Sequence, residues 1–323
     1  MNSLGKLHLR IEQIRREADG VLSFELVAPD SSELPPWEPG AHIDVKVSDT
    51  LTRQYSLCGF TGNQHVYKIG VLEAPNSRGG SRHIHQNWRV GDIIEASRPR
   101  NNFELAGSSS SYTFLAGGIG ITPMLPMVRL LASKRIPWTL AYGGRSRDSM
   151  AFLSEIEQLQ GGNVQIVEQD SSGVLDLRSI ISATPEFGHI YCCGPQPMIE
   201  AAEAIVQDLP EERWLRVERF SVSKASIAPN ISPPLEKVHV ELRKSNLEVD
   251  LTAGTTLLEA VRSVLPSVDF SCQEGICGSC EVRVLCGEVD HRDHILTADQ
   301  RAKSESMMMC VSRPTSKTLV LDL

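Results

Sequence analysis

Hydrophobic and polar positions alternate in three short stretches early in the chain, residues 21–26, 42–47 and 66–71, each carrying β-branched residues. Pro35, Pro36, Pro39 and Gly40 punctuate the turn before the second stretch. Short strands at this spacing predict a small antiparallel β-barrel over residues 1–107. From residue 108 the rhythm changes. Apolar runs at 113–116, 139–142, 164–167 and 189–192 alternate with helical patterns at 121–133, 152–159 and 197–207. That alternation predicts an α/β domain over residues 108–221, a parallel sheet with helices on its faces. Residues 222–236, with Pro229, Pro233 and Pro234 and no periodicity, read as a linker. Beyond it Val238, Val240 and Leu242, then Leu247, Val249 and Leu251, alternate around a Ser245-Asn246 turn, which predicts a hairpin opening a third domain at 237–323. Thr255 is placed to cap a helix burying Leu257, Leu258, Val261, Val264 and Leu265.

At 323 residues the chain exceeds one ordinary core. A net charge of −8 argues against a nucleic-acid partner, since phosphate binding needs clustered Lys and Arg. No apolar stretch follows the first basic residues, so no secretory signal is expected. The most apolar segment, 112–132, is broken by Gly117, Gly118, Gly120, Pro123, Pro126 and Arg129, which excludes a membrane span. These features predict a soluble, cytoplasmic protein. Eight cysteines without an export signal then point to metal or redox chemistry rather than a disulfide framework.

Five of the eight crowd the end of the chain. Cys272, Cys277 and Cys280 are separated by four and two residues, and Cys310 follows after a long interval. This is the ligand spacing of a plant-type [2Fe–2S] cluster. Zinc sites favour two close Cys pairs, and here there is one. Gly275 and Gly278 allow the tight loop whose amides approach the sulfurs. Cys286 is left over and reads as a small core residue. His291 and His294 lack the paired Cys-x-His pattern of a Rieske centre and read as surface or packing residues.

Two further motifs carry cofactor chemistry. Arg53-Gln54-Tyr55-Ser56 offers a guanidinium, an aromatic face and a hydroxyl to a flavin, while Arg78-Gly79-Gly80-Ser81-Arg82 supplies exposed amides and charge for its phosphate. Each alone is compatible with a barrel strand or a plain turn; together they favour a flavin. Gly117-Gly118-Ile119-Gly120-Ile121-Thr122-Pro123 joins a strand to a helix, where phosphates are favoured, although it is not the G-x-G-x-x-G fingerprint. Tyr191-Cys192-Cys193-Gly194-Pro195 stands at the carboxyl end of a strand, with Cys192 expected to pack inward and Cys193 to face the ligand crevice.

In this order, with these motifs and the Leu319-Val320-Leu321-Asp322-Leu323 ending, the whole chain resembles the phthalate dioxygenase reductase family. The resemblance implies a multidomain protein: an antiparallel β-barrel flavin domain of ferredoxin-reductase type, an α/β nucleotide domain and an α+β ferredoxin domain of the β-grasp type. It implies FMN, NADH rather than NADPH, and single electrons passed through the cluster on Cys272, Cys277, Cys280 and Cys310 to a Rieske-type terminal oxygenase. Residue by residue, Arg53, Gln54, Tyr55 and Ser56 would hold the FMN ring and chain, and Gly79, Gly80, Ser81 and Arg82 its phosphate. Ile69, Gly70 and Val71 would line the flavin. Gly117, Gly118, Gly120, Thr122, Pro123, Cys193, Gly194 and Pro195 would form the nicotinamide site, with Ser56, Thr122 and Cys193 at the reacting rings. Phe220 would cover the isoalloxazine, and Arg145 would lie near the adenine ribose. Arg147 departs from the family pattern as an extra charge able to meet a 2′-phosphate; an exposed surface arginine is the plainer explanation. Two rival functions remain at this stage: the same redox chain serving a non-oxygenase acceptor such as a quinone, and a ferredoxin-like carrier whose upstream domains no longer bind cofactor.

Overall fold

Period-two alternation builds the first sheet. A computed structural model describes residues 5–48, 51–75, 79–107, 109, 111–209, 213–221 and 237–323; the linker expected at 222–236, and Arg78, lie outside the described residues. Strands β1 (Leu7–Ala18), β2 (Val21–Val27), β3 (Ala41–Ser48), β4 (Leu51–Ser56) and β5 (Tyr67–Leu72) are followed by helix α1 (Gly80–Asn87), β6 (Ile93–Ala96) and β7 (Arg100–Asn101). They pair antiparallel in the order β4-β3-β6-β1-β2-β5, with β7 on β3. A bridge between Leu57 and Ile69 joins the two ends and closes the barrel. Leu9, Ile11, Phe24, Leu26, Ile43 and Ile69 fill it, each stabilising by about 1.5–3 kcal/mol on burial. Strand β1 escapes the hydrophobic pattern because register shifts at Ile11/Gln13 and Arg16/Ala18 interrupt the alternation.

The same unit, Met1–Phe220, continues with β8 (Tyr112–Gly117), α2 (Ile121–Ser133), β9 (Trp138–Gly144), α3 (Leu153–Ile156), β10 (Gly162–Glu168), α4 (Gln169–Ser172), α5 (Leu177–Ala183), β11 (His189–Cys193), α6 (Gln196–Gln207) and β12 (Trp214–Glu218). The sheet is parallel, in the order β10-β9-β8-β11-β12. All of β8 is buried. Phe114 and Ala116 enter the core that holds α2, and Leu115 enters the core that holds α5 and α6. Chain order reverses at β8, which places a crevice at the carboxyl ends of β8 and its neighbours. Of these elements, α5 and β12 lack a clear signal in the hydrophobic pattern.

The second unit, Ser221–Leu323, is built from β13 (Lys237–Leu242), β14 (Leu247–Thr252), α7 (Leu257–Val264), β15 (Glu281–Cys286), β16 (Val289–Asp290), α8 (Ala298–Lys303), β17 (Ser306–Met308), β18 (Arg313–Pro314) and β19 (Thr318–Leu321). The main sheet runs β14-β13-β19-β15-β17, with β13 and β19 parallel at its centre and antiparallel pairs outside. Helix α7, packed on β14, buries Leu257 and Val261 in one core with Val240, Leu319 and Leu321. Two expectations are corrected here. Thr256, not Thr255, caps α7: its hydroxyl accepts the Glu259 amide at 3.1 Å, and the Glu259 carboxylate accepts the Thr256 amide at 2.8 Å. Cys286 is exposed rather than in the core, because a register shift between Val284 and Cys286 ends the regular alternation of β15. Among the described residues, no helix is long and apolar enough to cross a membrane.

Candidate redox-cofactor sites

The barrel residues read as a flavin site converge on one edge. Arg53 to Ser56 lie on β4 itself, half-buried except for the buried Ser56. Across a loop, Gly79 adopts φ +99°, a conformation only glycine takes readily, and starts α1 with no side chain capping the helix. The Arg53 side chain runs over this start: a Cβ placed on Gly80 would stand 2.8 Å from Arg53 Cγ and 2.9 Å from Nε. Guanidinium and helix amides therefore face the same small volume, which fits a phosphate. The Ser81 hydroxyl accepts the Ala74 amide at 3.2 Å and ties α1 to the loop after β5. Arg82 is exposed beside it. Burial pushes the Tyr55 phenol upward, so it stays a neutral aromatic. On β5, Ile69 and Val71 are fully buried in the barrel core, so only their backbone is available to a flavin. Gly70, on the opposite face, meets the α/β domain: a Cβ there would lie 2.9 Å from Thr122 Cγ2.

Thr122 opens α2, its hydroxyl donating to the Ile119 carbonyl at 2.9 Å. The turn before it is packed against β11. A side chain at Gly120 would overlap the Cys193 carbonyl, and one at Gly117 would lie 2.6 Å from Pro195 Cδ and 2.8 Å from Met198 Sδ. Beside this turn opens a cavity of about 1110 Å³, ample for a dinucleotide-sized ligand, since ligand pockets run to roughly 1,000 Å³. Gly117, Gly118, Arg145 and Pro195 line it. Gly120, Thr122, Pro123 and Cys193 are buried and do not. Cys193 departs from expectation: both vicinal thiols are fully buried, Cys193 in the core with α2 and Cys192 in the opposite one. Successive residues of a strand point to opposite faces, and this sheet is covered on both. Arg147 also stands apart from the cavity wall, ion-paired with Glu157 and, at 3.6 Å, with Glu168.

Several residues of this region escape sequence reasoning. Asp176 and Arg178, at the start of α5, line the cavity, as do Asp19 and Glu73 from the barrel; α5 carried no periodic signal, and the barrel residues are isolated acids in loops. Glu218 pairs in register with Cys193, and burial pushes its carboxyl up to about 8. Arg219, next along, donates to both Glu203 oxygens at 2.6 Å, anchoring the strand end from which Phe220 projects with 42% of its surface open.

In the second unit the four cysteines predicted as ligands come together. Cys272 interacts with Cys277 and Cys310, and Cys310 with Cys280. Hydrogen bonds from Cys277 and Cys310 hold the Cys272 thiol far below its usual range, Cys310 lowers Cys280, and the same contacts push Cys277 and Cys310 up. Sulfurs this close cannot all ionise without a cation between them, so the donor set fits iron. Amides of Cys272 and Glu274 donate to the sulfurs of Cys277 and Cys272 at 3.4 and 3.3 Å, the expected tuning contacts. Gly275, at φ +70°, brings the loop within 3.0 Å (from a notional Cβ) of Asp293 Cα. Asp293 is buried, and its carboxyl is pushed up by that burial and drawn down by Arg301. His291 bonds Ser304 at 2.9 Å, and His294 is exposed.

Comparison with known proteins agrees with this arrangement. Residues 240–315 match the 2Fe-2S iron-sulfur cluster binding domain, and residues 114–204 the oxidoreductase NAD-binding domain. The chain is 41% identical to phenoxybenzoate dioxygenase subunit beta of Ectopseudomonas oleovorans, across 99% of this chain and 98% of that protein. It is 35% identical to tetrachlorobenzoquinone reductase of Sphingobium chlorophenolicum, across 100% and 99%. Among solved structures it superposes on phthalate dioxygenase reductase with a TM-score of 0.69 and 34% identity, over 99% of this chain and 98% of that one. Barrel, parallel sheet and cluster domain occur here in one chain, and the match runs the full length of both proteins: the chain belongs to the phthalate dioxygenase reductase family of flavin- and iron–sulfur-dependent oxidoreductases.

Proposed function

We propose that this protein is the reductase component of a Rieske-type oxygenase, accepting hydride from NADH on FMN and passing electrons singly through a [2Fe–2S] cluster to the oxygenase. One observation carries the reading: Arg53 lies on Gly80, and Gly70 lies on Thr122, so motifs read separately as flavin strand, phosphate cradle and nicotinamide turn share one seam. The oxygenase acceptor draws on the full-length similarity to a dioxygenase subunit.

In this reading residues 1–107 hold the flavin, 108–221 the nucleotide and 237–323 the cluster. When bound, the flavin supplies the exchange between paired and single electrons, and the cluster a one-electron store. Arg53 and the amides of Gly79, Gly80 and Ser81 hold the flavin phosphate, with charge from Arg82. Gln54, Tyr55 and Ser56 contact the ring, and the backbone of Ile69, Gly70 and Val71 borders it. Phe220 covers its open face. Gly117, Gly118, Gly194 and Pro195 let the nucleotide approach the backbone, and Arg145 holds its ribose–phosphate end. Gly120, Thr122, Pro123 and Cys193 form the packed wall that keeps water from the reacting rings, whose main requirement is alignment. Cys272, Cys277, Cys280 and Cys310 hold the irons as thiolates. NADH is favoured over NADPH because Glu157 and Glu168 engage Arg147 and keep its charge from a 2′-phosphate.

Anaerobic titration of the purified holoprotein, followed at the flavin and cluster absorption bands, tests this. NADH in small excess over the protein bleaches both bands, NADPH does so poorly, and acid extraction releases FMN. Release of FAD, or equal bleaching by NADPH, removes the corresponding assignment. A second reading, a quinone acceptor, is favoured by the 35% identity to a benzoquinone reductase. Turnover with tetrachlorobenzoquinone faster than with any Rieske-type oxygenase would put it first.

A further inference from the structure

The joint between barrel and α/β domain, within the first unit, contains a largely buried arginine that the proposed redox chemistry does not use. Arg129 lies on α2 seven residues after Thr122, so both side chains leave the same face of the helix, about 10 Å apart along its axis. Thr122 meets Gly70 on β5. Arg129 reaches the loop that leaves the flavin strand β4, donating from Nη1 to the Cys58 carbonyl at 2.6 Å and the Gly59 carbonyl at 2.7 Å. Its other nitrogens pair with Glu155 on α3, and its guanidinium lies 4.6 Å from the Phe60 ring centroid. Only about 10% of the side chain is exposed.

Apolar contacts along this seam, such as that of the Met127 side chain with Gly40, are non-directional and tolerate small slides. A guanidinium held by two adjacent carbonyls and a carboxylate does not, because its donors are fixed in one plane. A hydrophobic residue of similar volume would hold the two bodies together as well or better, since burying a charge costs desolvation. What the arginine adds is register. The neighbouring contact is also tightly determined: Phe152 holds φ +63°, its ring lies beside Gly70, and Lys68, paired with Glu17 at 3.0 Å, sits 5.1 Å above it.

We propose that Arg129 is a positioning residue for hydride transfer, its clamp on the 58–59 carbonyls setting how the nicotinamide site meets the flavin strand. The inference rests on the functional reading above. It concerns a residue outside the motifs assigned to either cofactor.

The test uses the holoenzyme of Arg129→Gln and Arg129→Lys, with flavin and iron content confirmed. Flavin bleaching by NADH and by 4-deuterated NADH is followed by anaerobic stopped flow. Expected are an NADH dissociation constant within about twofold of wild type and a bleaching rate constant lowered on the order of 10²-fold in Arg129→Gln, the cost of misalignment by about 1 Å. The loss is smaller in Arg129→Lys, the isotope effect grows in both, and added guanidinium ion partly restores Arg129→Gln. Bleaching at the wild-type rate in both variants, even with a lowered unfolding midpoint, makes Arg129 a structural tie and overturns the proposal. So does a loss confined to NADH affinity. Should Arg129→Gln not fold, Arg129→Lys decides alone. If wild-type flavin is not bleached by NADH, the functional reading itself falls, a result distinct from all of these.

Discussion

The two units build their sites in opposite ways. In the second, three of four sulfurs come from nine consecutive residues, Cys272 to Cys280, and the fourth from Cys310 in the turn after β17. In the first, the seam gathers Arg53, Gly70, Gly80, Thr122, Cys193 and Glu218, drawn from two sheets and a span of more than half the chain. A local site writes its chemistry into spacing. A distributed one writes it into packing, where the informative residues are glycines that leave room and buried groups whose partners lie far along the chain.

That contrast can be broken most sharply at Cys310. Cys310→Ser removes the one proposed ligand from outside the loop, and the cluster should be lost with it, since structural metal binding depends on the full thiolate set. Cytochrome c reduction should fall by about a hundredfold or more, while NADH bleaching of the flavin and reduction of ferricyanide persist. Equal loss of both activities would show that the first unit does not function independently of the second's metal.

The next largest effect separates burial from ligation. Glu218 is an acid whose folded-state pKa, about 8, is far above its ordinary value of 4.5 because of burial. Below pH 4.5 both folded and unfolded chains hold the proton, and the group costs nothing. Between 4.5 and 8 the unfolded chain releases it while the folded chain keeps it, so stability falls as pH rises through that window. At about 1.4 kcal/mol per unit of displacement, the loss is a few kcal/mol by pH 8. Glu218→Gln should flatten the decline, read as urea unfolding of the first unit at pH 5, 7 and 9. An unchanged slope in the variant would move the titration to another group.

Arg53→Ala should weaken flavin binding by about 2 kcal/mol, or roughly thirtyfold, the usual worth of a charge-assisted hydrogen bond to phosphate. Flavin released on dilution, followed by fluorescence, measures it, and the cluster's electron paramagnetic resonance signal should not change. Loss of that signal would contradict the separateness of the two sites.

How much of this was legible in the chain follows the same division. The cluster spacing, the hairpin at 237–252 and the parallel alternation of 108–221 are repeated local signals, and the fold follows them. Strand β1 was hidden by two register shifts. Helix α5 is short, and with it went Asp176 and Arg178 on the cavity wall. Cys193 invited a functional orientation from its Gly-Pro neighbours, but a central strand covered on both faces buries either thiol of the pair. Glu218, between Val217 and Arg219, carries no signal in the hydrophobic pattern. Only its register opposite Cys193 reveals an acid with a buried carboxylate oxygen.

The smallest effect tests the finest of these distinctions. Thr255 and Thr256 are adjacent and chemically identical, and either could start α7 on pattern alone. In the fold, Thr256 exchanges two hydrogen bonds with Glu259, and the Thr255 amide donates to the Thr252 carbonyl at 3.3 Å without engaging its own hydroxyl in the cap. Thr256→Ala should therefore cost the second unit about 1 kcal/mol, and Thr255→Ala less than about 0.5, measured by urea unfolding of the holoprotein monitored at the cluster absorption. Because α7 packs Leu257 and Val261 under the central strands β13 and β19, the loss should appear in the midpoint with an unchanged slope. If the two alanine variants lose equal stability, the helix begins one residue earlier than its capping box indicates.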